Sequence, residues 1–243
     1  MSGSFLWGLF AGSSLLVGGL VALRFKLSQA WLGLIMAFGA GVLISAVAYE
    51  LVGEAFATSA GSGGVALGLF VGAGVFFGGD LLIDRLGGHE RKSSGGEQEA
   101  GSPLAIVLGI VLDGIPESIV IGLGLLEGGG VSVAVIAAVF LSNLPEAIAA
   151  TTGLTQAGWA RSRILGLWTG VMVVCAFSSY IGYTAFDAAS PRTVAFVLAF
   201  AGGAILTMLA DTMMPEAYKY GGKLVGLATT LGFALAFALT TLE

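Results

Sequence analysis

Two short motifs in neighbouring apolar stretches carry the residues best suited to chemistry. The first runs Asp113-Gly-Ile-Pro-Glu117-Ser, and the second, 29 positions later, runs Ser142-Asn-Leu-Pro-Glu146-Ala. Each places a proline and a carboxylate near the middle of a stretch long enough to cross a bilayer. An ionisable residue at membrane depth is costly in free energy and usually has a function. The duplicated carboxylate therefore predicts a polar site inside the membrane.

Both motifs are expected to present their polar side chains on one helix face, because residues three and four apart are neighbours on a helix. Asp113 and Glu117 then lie one turn apart, and the second motif aligns Ser142, Asn143 and Glu146 in the same way. Neighbouring carboxylates repel in a low dielectric, and a bound cation relieves the repulsion. Oxygen ligands suit cations such as Mg²⁺, Mn²⁺ or Fe²⁺.

Pro116 and Pro145 add to this prediction because proline has no N–H to donate within a helix. The carbonyls of Leu112 and Leu141, four residues earlier, lose their helical donors. Kinked or unwound backbone at membrane depth is tolerated where it faces a cavity, and its carbonyls can coordinate ions. We therefore expect a kinked or unwound turn at each proline.

The composition predicts an integral membrane protein. The 243 residues are 56% hydrophobic and only 10% charged, whereas a soluble domain carries roughly 25% charged residues. Too few polar groups remain to cover a surface in water, so the lipid bilayer is the expected partner. No basic patch indicates binding to nucleic acid. Cys175, the single cysteine, is interpreted as a small buried apolar residue.

Eight stretches are long enough to cross the roughly 30 Å hydrocarbon core as helices. Helices are expected because each segment must satisfy its own backbone hydrogen bonds in lipid. The spans form a single transmembrane domain over 1–243, and their predicted bounds are 4–23, 30–53, 64–83, 103–126, 131–153, 161–184, 193–215 and 222–241. The polar segment 85–102 is predicted to be a flexible cytoplasmic linker that separates three helices from five.

The distribution of Lys and Arg predicts the orientation in the membrane. Nine of the ten basic residues lie in loops after odd-numbered helices, and only Arg192 lies on the other side. Those loops are expected to be cytoplasmic, with both termini outside the cytoplasm. Basic residues follow the first stretch instead of preceding it, which favours a retained helix over a signal peptide. We expect a multi-pass protein of the cell (inner) membrane.

A second internal repeat relates the second and seventh stretches. At an offset of 162 positions the following pairs align: Gly41/Gly203, Ser45/Thr207, Ala48/Ala210, Glu54/Glu216 and Ala55/Ala217. The two helices are expected to run in opposite directions, which is typical of inverted-topology repeats in secondary transporters. The prediction is a 3+2+3 arrangement, in which helices 1–3 and 6–8 are inverted halves around helices 4–5.

The duplicated Pro-Glu motif, the eight helices divided three-plus-five and the external termini resemble the ZIP (Zrt/Irt-like) metal transporters, especially their bacterial GufA-like branch. The family's fourth helix typically reads His-Asn-x-Pro-Glu-Gly, which falls on Asp113, Gly114, Pro116 and Glu117. Its fifth helix often reads His-Asn-x-Pro-Glu, which falls on Ser142, Asn143, Pro145 and Glu146. Both family histidines are thus replaced here.

The resemblance implies transport of a divalent metal ion, and the loss of both histidines favours Mn²⁺ or Fe²⁺ over Zn²⁺. The implied metal ligands are Asp113, Glu117, Ser142, Asn143 and Glu146. In this interpretation the metal ion is the transported substrate. The resemblance implies a homodimer, but it implies no prosthetic group and no enzymatic activity. We further expect Glu50, near the outer end of helix two, and Asp211 and Glu216, near the inner end of helix seven, to lie along the transport pathway.

Other functions remain open at this point. The carboxylates would also suit proton relays in a transporter of a non-metal solute, and a ZIP-like protein that no longer transports metal would keep the same motifs. An intramembrane enzyme that uses paired carboxylates is a further alternative, although the Gly-x-Gly-Asp surroundings of such proteases are missing. The sequence has no Gly-x-x-x-x-Gly-Lys-Ser/Thr loop for ATP, so a gradient is the expected driving force.

Overall fold

The computed structural model describes residues 2–59, 63–88, 91, 93–95, 101–127 and 133–242. Every regular element in these ranges is a helix, as expected when apolar segments must satisfy their own backbone groups. Seven helical stretches in this part of the chain are long and apolar enough to cross a membrane. The prediction of an all-helical protein is confirmed, and the seven stretches fit a multi-pass membrane protein, whereas the sequence analysis counted eight.

We label the helices in chain order: α1 Ser2–Arg24, α2 Gln29–Thr58, α3 Gly64–Gly88, α4 Pro103–Gly124, α5 Val133–Gln156, α6 Arg161–Phe186, α7 191–221 and α8 Val225–Thr240. The last two belong to one stretch of 50 residues, Pro191–Thr240, and this explains the lower count. Within that stretch the backbone leaves the helix at Gly222, with φ 57° and ψ −141°. Glycine adopts a positive φ at no steric cost, so the chain can change direction there.

Helices α2 and α7 each pass from α-helix into a π-helical turn. The turn covers Val47–Gly53 in α2 and Leu209–Met213 in α7. The two turns begin 162 positions apart, which is the offset of the sequence repeat. π-Helical turns occur frequently at functional sites. Each turn contains one of the predicted pathway carboxylates, Glu50 in the first and Asp211 in the second.

Close backbone contacts pair α2 with α8 and α3 with α7. Gly41 on α2 lies against the backbone of Thr229 on α8, and Gly203 on α7 lies against the backbone of Leu69 on α3. A Cβ at either glycine would overlap the facing carbonyl oxygen. Small residues allow membrane helices to approach this closely. Since the two glycines are themselves related by the repeat, corresponding positions make corresponding contacts.

The motif-bearing helices lie inside the bundle. Helix α1 packs against both α5 and α6, and α4 packs against α6. In α5, 67% of the most apolar window is buried, compared with 28% in α3. The large apolar side chains of α3 and α8 instead point outward, as at Phe70, Val75, Leu227 and Leu231. Because so apolar an outer surface is unfavourable in water, it fits a lipid environment.

Gly72 and Gly74 on α3 provide a matched test of this packing. Gly72 lies against the backbone of Phe200 on α7, whereas a Cβ at Gly74 would meet open space. We expect Gly72→Ala to lower the free energy of unfolding by about 1–3 kcal/mol, because the two helices must move apart. Gly74→Ala should leave it unchanged or raise it by up to about 1 kcal/mol, because alanine favours helix. Unfolding in mixed detergent micelles, followed by circular dichroism, measures both, and equal effects would contradict the close contact.

Candidate functional site

The five predicted metal ligands lie in the interior of the bundle. Their exposed fractions run from 0 to 8%: Asp113 3%, Glu117 2%, Ser142 0%, Asn143 3% and Glu146 8%. Burial of this many polar groups among apolar helices is costly unless each finds a compensating partner. The arrangement of those partners therefore decides what the site can do.

The two prolines do not unwind their helices. Helix α4 remains α-helical through Pro116, and α5 remains α-helical through Pro145. The unwound turns expected from the sequence are therefore absent from both of these helices. The Pro145 ring lies against Gly39 on α2, where a Cβ would come within 3.0 Å of the ring. Ligands at this site would come from side chains more than from unwound backbone.

Three of the predicted ligands meet at one small cavity, which we call the central cavity. Asp113 from α4 and Asn143 and Glu146 from α5 line it, together with Leu15 and Trp168 from the flanking helices. Its volume of about 10 Å³ is close to the minimum that a single water molecule needs. Helices α4 and α5 thus bring together two carboxylates and an amide from the duplicated motif.

Glu117 lines a different cavity, the outer cavity, together with the predicted pathway residue Glu50. This enclosed space of about 20 Å³ lies between α2, α4, α5 and α7. Thr240 on α8 donates a hydrogen bond to Oε1 of Glu50 at 2.6 Å. Ser142 donates to the Val139 carbonyl of its own helix at 3.0 Å. Ser142 therefore has a structural partner in this arrangement.

The strongest interaction of the motif comes from the chain segment after α3. Arg91 donates from Nε and Nη2 to the two carboxylate oxygens of Asp113, both at 2.9 Å. Its Nη2 also donates to Asp80 on α3, and its Nη1 lies 3.9 Å from a carboxylate oxygen of Asp84. The exposed fraction of Arg91 is 0%. Such bidentate, charge-assisted pairs are the strongest side-chain hydrogen bonds in proteins.

The surroundings of Arg91 keep it charged. Burial alone would lower the pKa of Arg91, but the nearby Asp113 and Asp80 carboxylates outweigh it and raise the pKa above the ordinary arginine value. Arg91 is therefore a permanent positive charge beside Asp113. Removing one partner of a buried ion pair costs about 3–5 kcal/mol, because the other charge is left uncompensated.

Residues 91 and 93–95, which we call the docked segment, are held by several helices at once. Ser94 donates to Oε1 of Glu216 on α7 from its backbone N–H at 2.6 Å and from its hydroxyl at 2.9 Å. The Ser94 carbonyl accepts hydrogen bonds from Gln29 on α2 at 2.8 Å and from Gln156 on α5 at 3.3 Å. Ser93 and Ser94 have exposed fractions of 2% and 0%.

The docked segment differs from the flexible linker that composition predicts for 85–102. Residues 84–88 continue α3 as a π-helical turn, and the docked segment is buried. The physical reason is that its polar groups find partners on other helices, which composition cannot reveal. Residues 89, 90, 92 and 96–100 of the predicted linker lie outside the described residues.

A wider cavity of about 500 Å³, which we call the vestibule, opens beside the docked segment. Four carboxylates and two cationic side chains line it, namely Asp80, Asp84, Asp211, Glu216, Arg91 and Lys219. The predicted pathway residues Asp211 and Glu216 therefore share one cavity, and Arg91 stands between that cavity and Asp113. Along α4 the order is Glu117 at the outer cavity, Asp113 at the central cavity and then Arg91 at the vestibule.

The predicted ligands do not form a closed metal cluster in this arrangement. Among the described residues, no three His, Cys, Asp or Glu side chains come close enough together to hold a metal ion. Glu117 faces the outer cavity, and Arg91 is bound to both oxygens of Asp113. A cation that binds at Asp113 therefore competes with Arg91.

Sequence reasoning missed two residues at the site. The composition of 85–102 places Arg91 in the linker. The signal that points to Arg91 is Asp80, because a carboxylate within an apolar helix needs a cation nearby. Cys175 on α6 is buried as expected, and its Sγ lies against Gly114 of the first motif, where a Cβ would come within 3.2 Å of it.

No family model matches the chain, and no curated protein matches it.

The hydrogen bonds of Glu216 provide a test of the docked segment. In a Cys175→Ala background, Ser93→Cys places a thiol at a position with 2% exposure. Glu216→Ala removes the acceptor of two hydrogen bonds, and bonds to a charged group are worth about 1.5–3 kcal/mol each. We expect maleimide to label the introduced thiol at least about tenfold faster, since each 1.4 kcal/mol corresponds to a factor of about ten.

Glu54→Ala is the matched control, because Glu54 occupies the corresponding position of the repeat and accepts a hydrogen bond from Thr58 of its own helix. It should leave the labelling rate unchanged. Equal labelling rates in the Glu216 and Glu54 variants would show that Glu216 does not hold the segment.

Proposed function

We propose that the protein is a ZIP-like transporter that carries divalent metal cations across the cell membrane by alternating access. The observation that carries this proposal is the row formed by the outer cavity, the central cavity and the vestibule, with the duplicated motif in the middle. Asp113, Asn143 and Glu146 supply carboxylate and amide oxygens at the central cavity. Such ligands suit Mn²⁺ and Fe²⁺ better than Zn²⁺, which favours nitrogen and sulfur.

An eight-span, 3+2+3 architecture with inverted halves is part of the proposal. The break at Gly222 divides Pro191–Thr240 into the last two spans. Two observations support the inverted halves. The π-helical turns of α2 and α7 begin at the repeat offset of 162 positions. In addition, α2 contacts α8 as α7 contacts α3, which is the pairing expected if a pseudo-two-fold axis exchanges the halves.

A further pair of contacts supports the same symmetry. Gly72 on α3 lies against Phe200 on α7, and Gly232 on α8 lies against Phe38 on α2. Phe38 and Phe200 are again 162 positions apart. In this architecture α4 and α5 hold the cation while the halves α1–α3 and α6–α8 rearrange around them.

The loops indicate how the path is oriented in the membrane. The predominance of Lys and Arg in the loops after odd-numbered helices assigns the vestibule to the cytoplasmic side. Cations would enter past Glu50 and Glu117, bind at the central cavity and leave past Asp211 and Glu216. The protein contains no loop for ATP, so the cation gradient or a coupled ion gradient drives the movement.

Uptake into proteoliposomes tests this function directly. Mn²⁺, Fe²⁺, Zn²⁺, Cd²⁺ and Mg²⁺ are offered in turn to vesicles that contain the purified protein. We expect saturable uptake that Glu117→Gln/Glu146→Gln reduces at least about tenfold, since even outer-shell changes at metal sites cost 10–100-fold. Mn²⁺ and Fe²⁺ should be preferred over Zn²⁺.

Glu54→Gln removes a carboxylate away from the three cavities and serves as the control, for which unchanged uptake is expected. If the folded wild-type protein takes up none of these ions, metal transport is excluded. The proton-coupled transport of a non-metal solute then becomes the leading function, because the same row of carboxylates suits proton relays.

A further inference from the structure

We propose that Arg91 is an internal counter-cation, which occupies Asp113 whenever cargo does not and thereby allows the unloaded transporter to change conformation. This inference rests on the proposed transport function. It adds a residue outside the two motifs to the machinery and gives that residue a role in one step of the cycle.

The need for a counter-cation follows from electrostatics. A carrier that works by alternating access must change conformation twice in each cycle, once with cargo and once without it. A divalent cation compensates the charge of Asp113 in the loaded form. Unless another cation took the place of the cargo, Asp113 in the unloaded form would bring an uncompensated negative charge into a low-dielectric interior, which is strongly unfavourable.

The geometry of Arg91 meets this need. Its Nε and Nη2 bind the two carboxylate oxygens of Asp113 at 2.9 Å each. A guanidinium paired in this way takes one lone pair of each oxygen, and its positive charge repels a divalent cation at the same carboxylate. Because arginine stays protonated in a buried site, the compensating charge does not depend on pH. Arg91 and the cargo therefore compete for Asp113.

Arg91 can leave Asp113 without unfolding either helix, because it belongs to neither of them. Helix α3 ends at Gly88 and α4 begins at Pro103. The side chain of Arg91 also packs closely against α4, because a Cβ at Gly109 would overlap the Cδ of Arg91.

The docked segment ties Arg91 to the conformation of the bundle. Arg91 is bound to α3 and α4 through Asp80 and Asp113. Three residues later, Ser94 is bound to α7 through Glu216 and to α2 through Gln29. The segment therefore contacts the central pair and both halves, and these contacts hold the guanidinium beside the carboxylate that it compensates.

Charge balance distinguishes this role from a purely structural one. The buried group Arg91, Asp80 and Asp113 carries a formal charge of −1. Arg91→Gln changes that charge to −2, and Arg91→Gln/Asp80→Asn returns it to −1. The double variant therefore restores the charge without restoring the guanidinium or its hydrogen bonds.

The experiment compares two transport modes in proteoliposomes with Mn²⁺ as the probe. Net uptake into metal-free vesicles requires the unloaded protein to return. Exchange of labelled Mn²⁺ into vesicles preloaded with Mn²⁺ proceeds with cargo in both directions. We expect Arg91→Gln to lower net uptake at least about tenfold, because an uncompensated buried charge raises the barrier of the return step, and to leave exchange within about twofold.

The double variant should recover most of the net uptake, and Arg85→Gln, which removes an exposed arginine at the end of α3, should alter neither mode. The proposal is overturned if Arg91→Gln changes net uptake and exchange by the same factor. It is also overturned if the double variant fails to relieve the net-uptake defect. Loss of both transport modes in both Arg91 variants would likewise contradict it. If the wild-type protein shows neither mode with any metal, the proposed transport function itself fails.

Discussion

A carboxylate buried among membrane helices must be neutralised by a cation or a proton, and the interior of this protein is organised around that constraint. Asp113 lies near the middle of α4, with an exposed fraction of 3%. Arg91 compensates it through two hydrogen bonds and also reaches Asp80. The ion pair holds a polar segment deep inside an apolar bundle, where it would otherwise be unfavourable. It also occupies the carboxylate that the duplicated motif offers to a cation.

The packing of the surrounding helices positions the Arg91–Asp113 ion pair. Corresponding glycines on α2 and α7 make corresponding contacts with α8 and α3, so the two parts of the chain enclose α4 and α5 in a similar way. The π-helical turns place Glu50 at the outer cavity and Asp211 at the vestibule. Carboxylates thus line each of the three cavities.

Much of the local structure could be predicted, because it depends on neighbours in the chain. Apolar length predicts the helices, and the repeat at 162 positions aligns the two π-helical turns. The spacing of Asn143 and Glu146 predicts their common face on α5, and both line the central cavity. The prolines show the limit of local reasoning. Pro145 lacks a hydrogen-bond donor, yet its helix stays continuous, and its ring lies against Gly39 of α2.

The sequence by itself determined that the chain is helical and apolar, and that polar groups from two related motifs lie in the interior. These properties follow from residue type and periodicity, which act over one or two helical turns. Only the tertiary structure decided which cation meets Asp113 and what holds the docked segment. Arg91 is 22 positions from Asp113, and Ser94 is 122 positions from Glu216. Pairings at such distances arise when packed helices bring remote segments together, and a pattern within one segment contains no information about them.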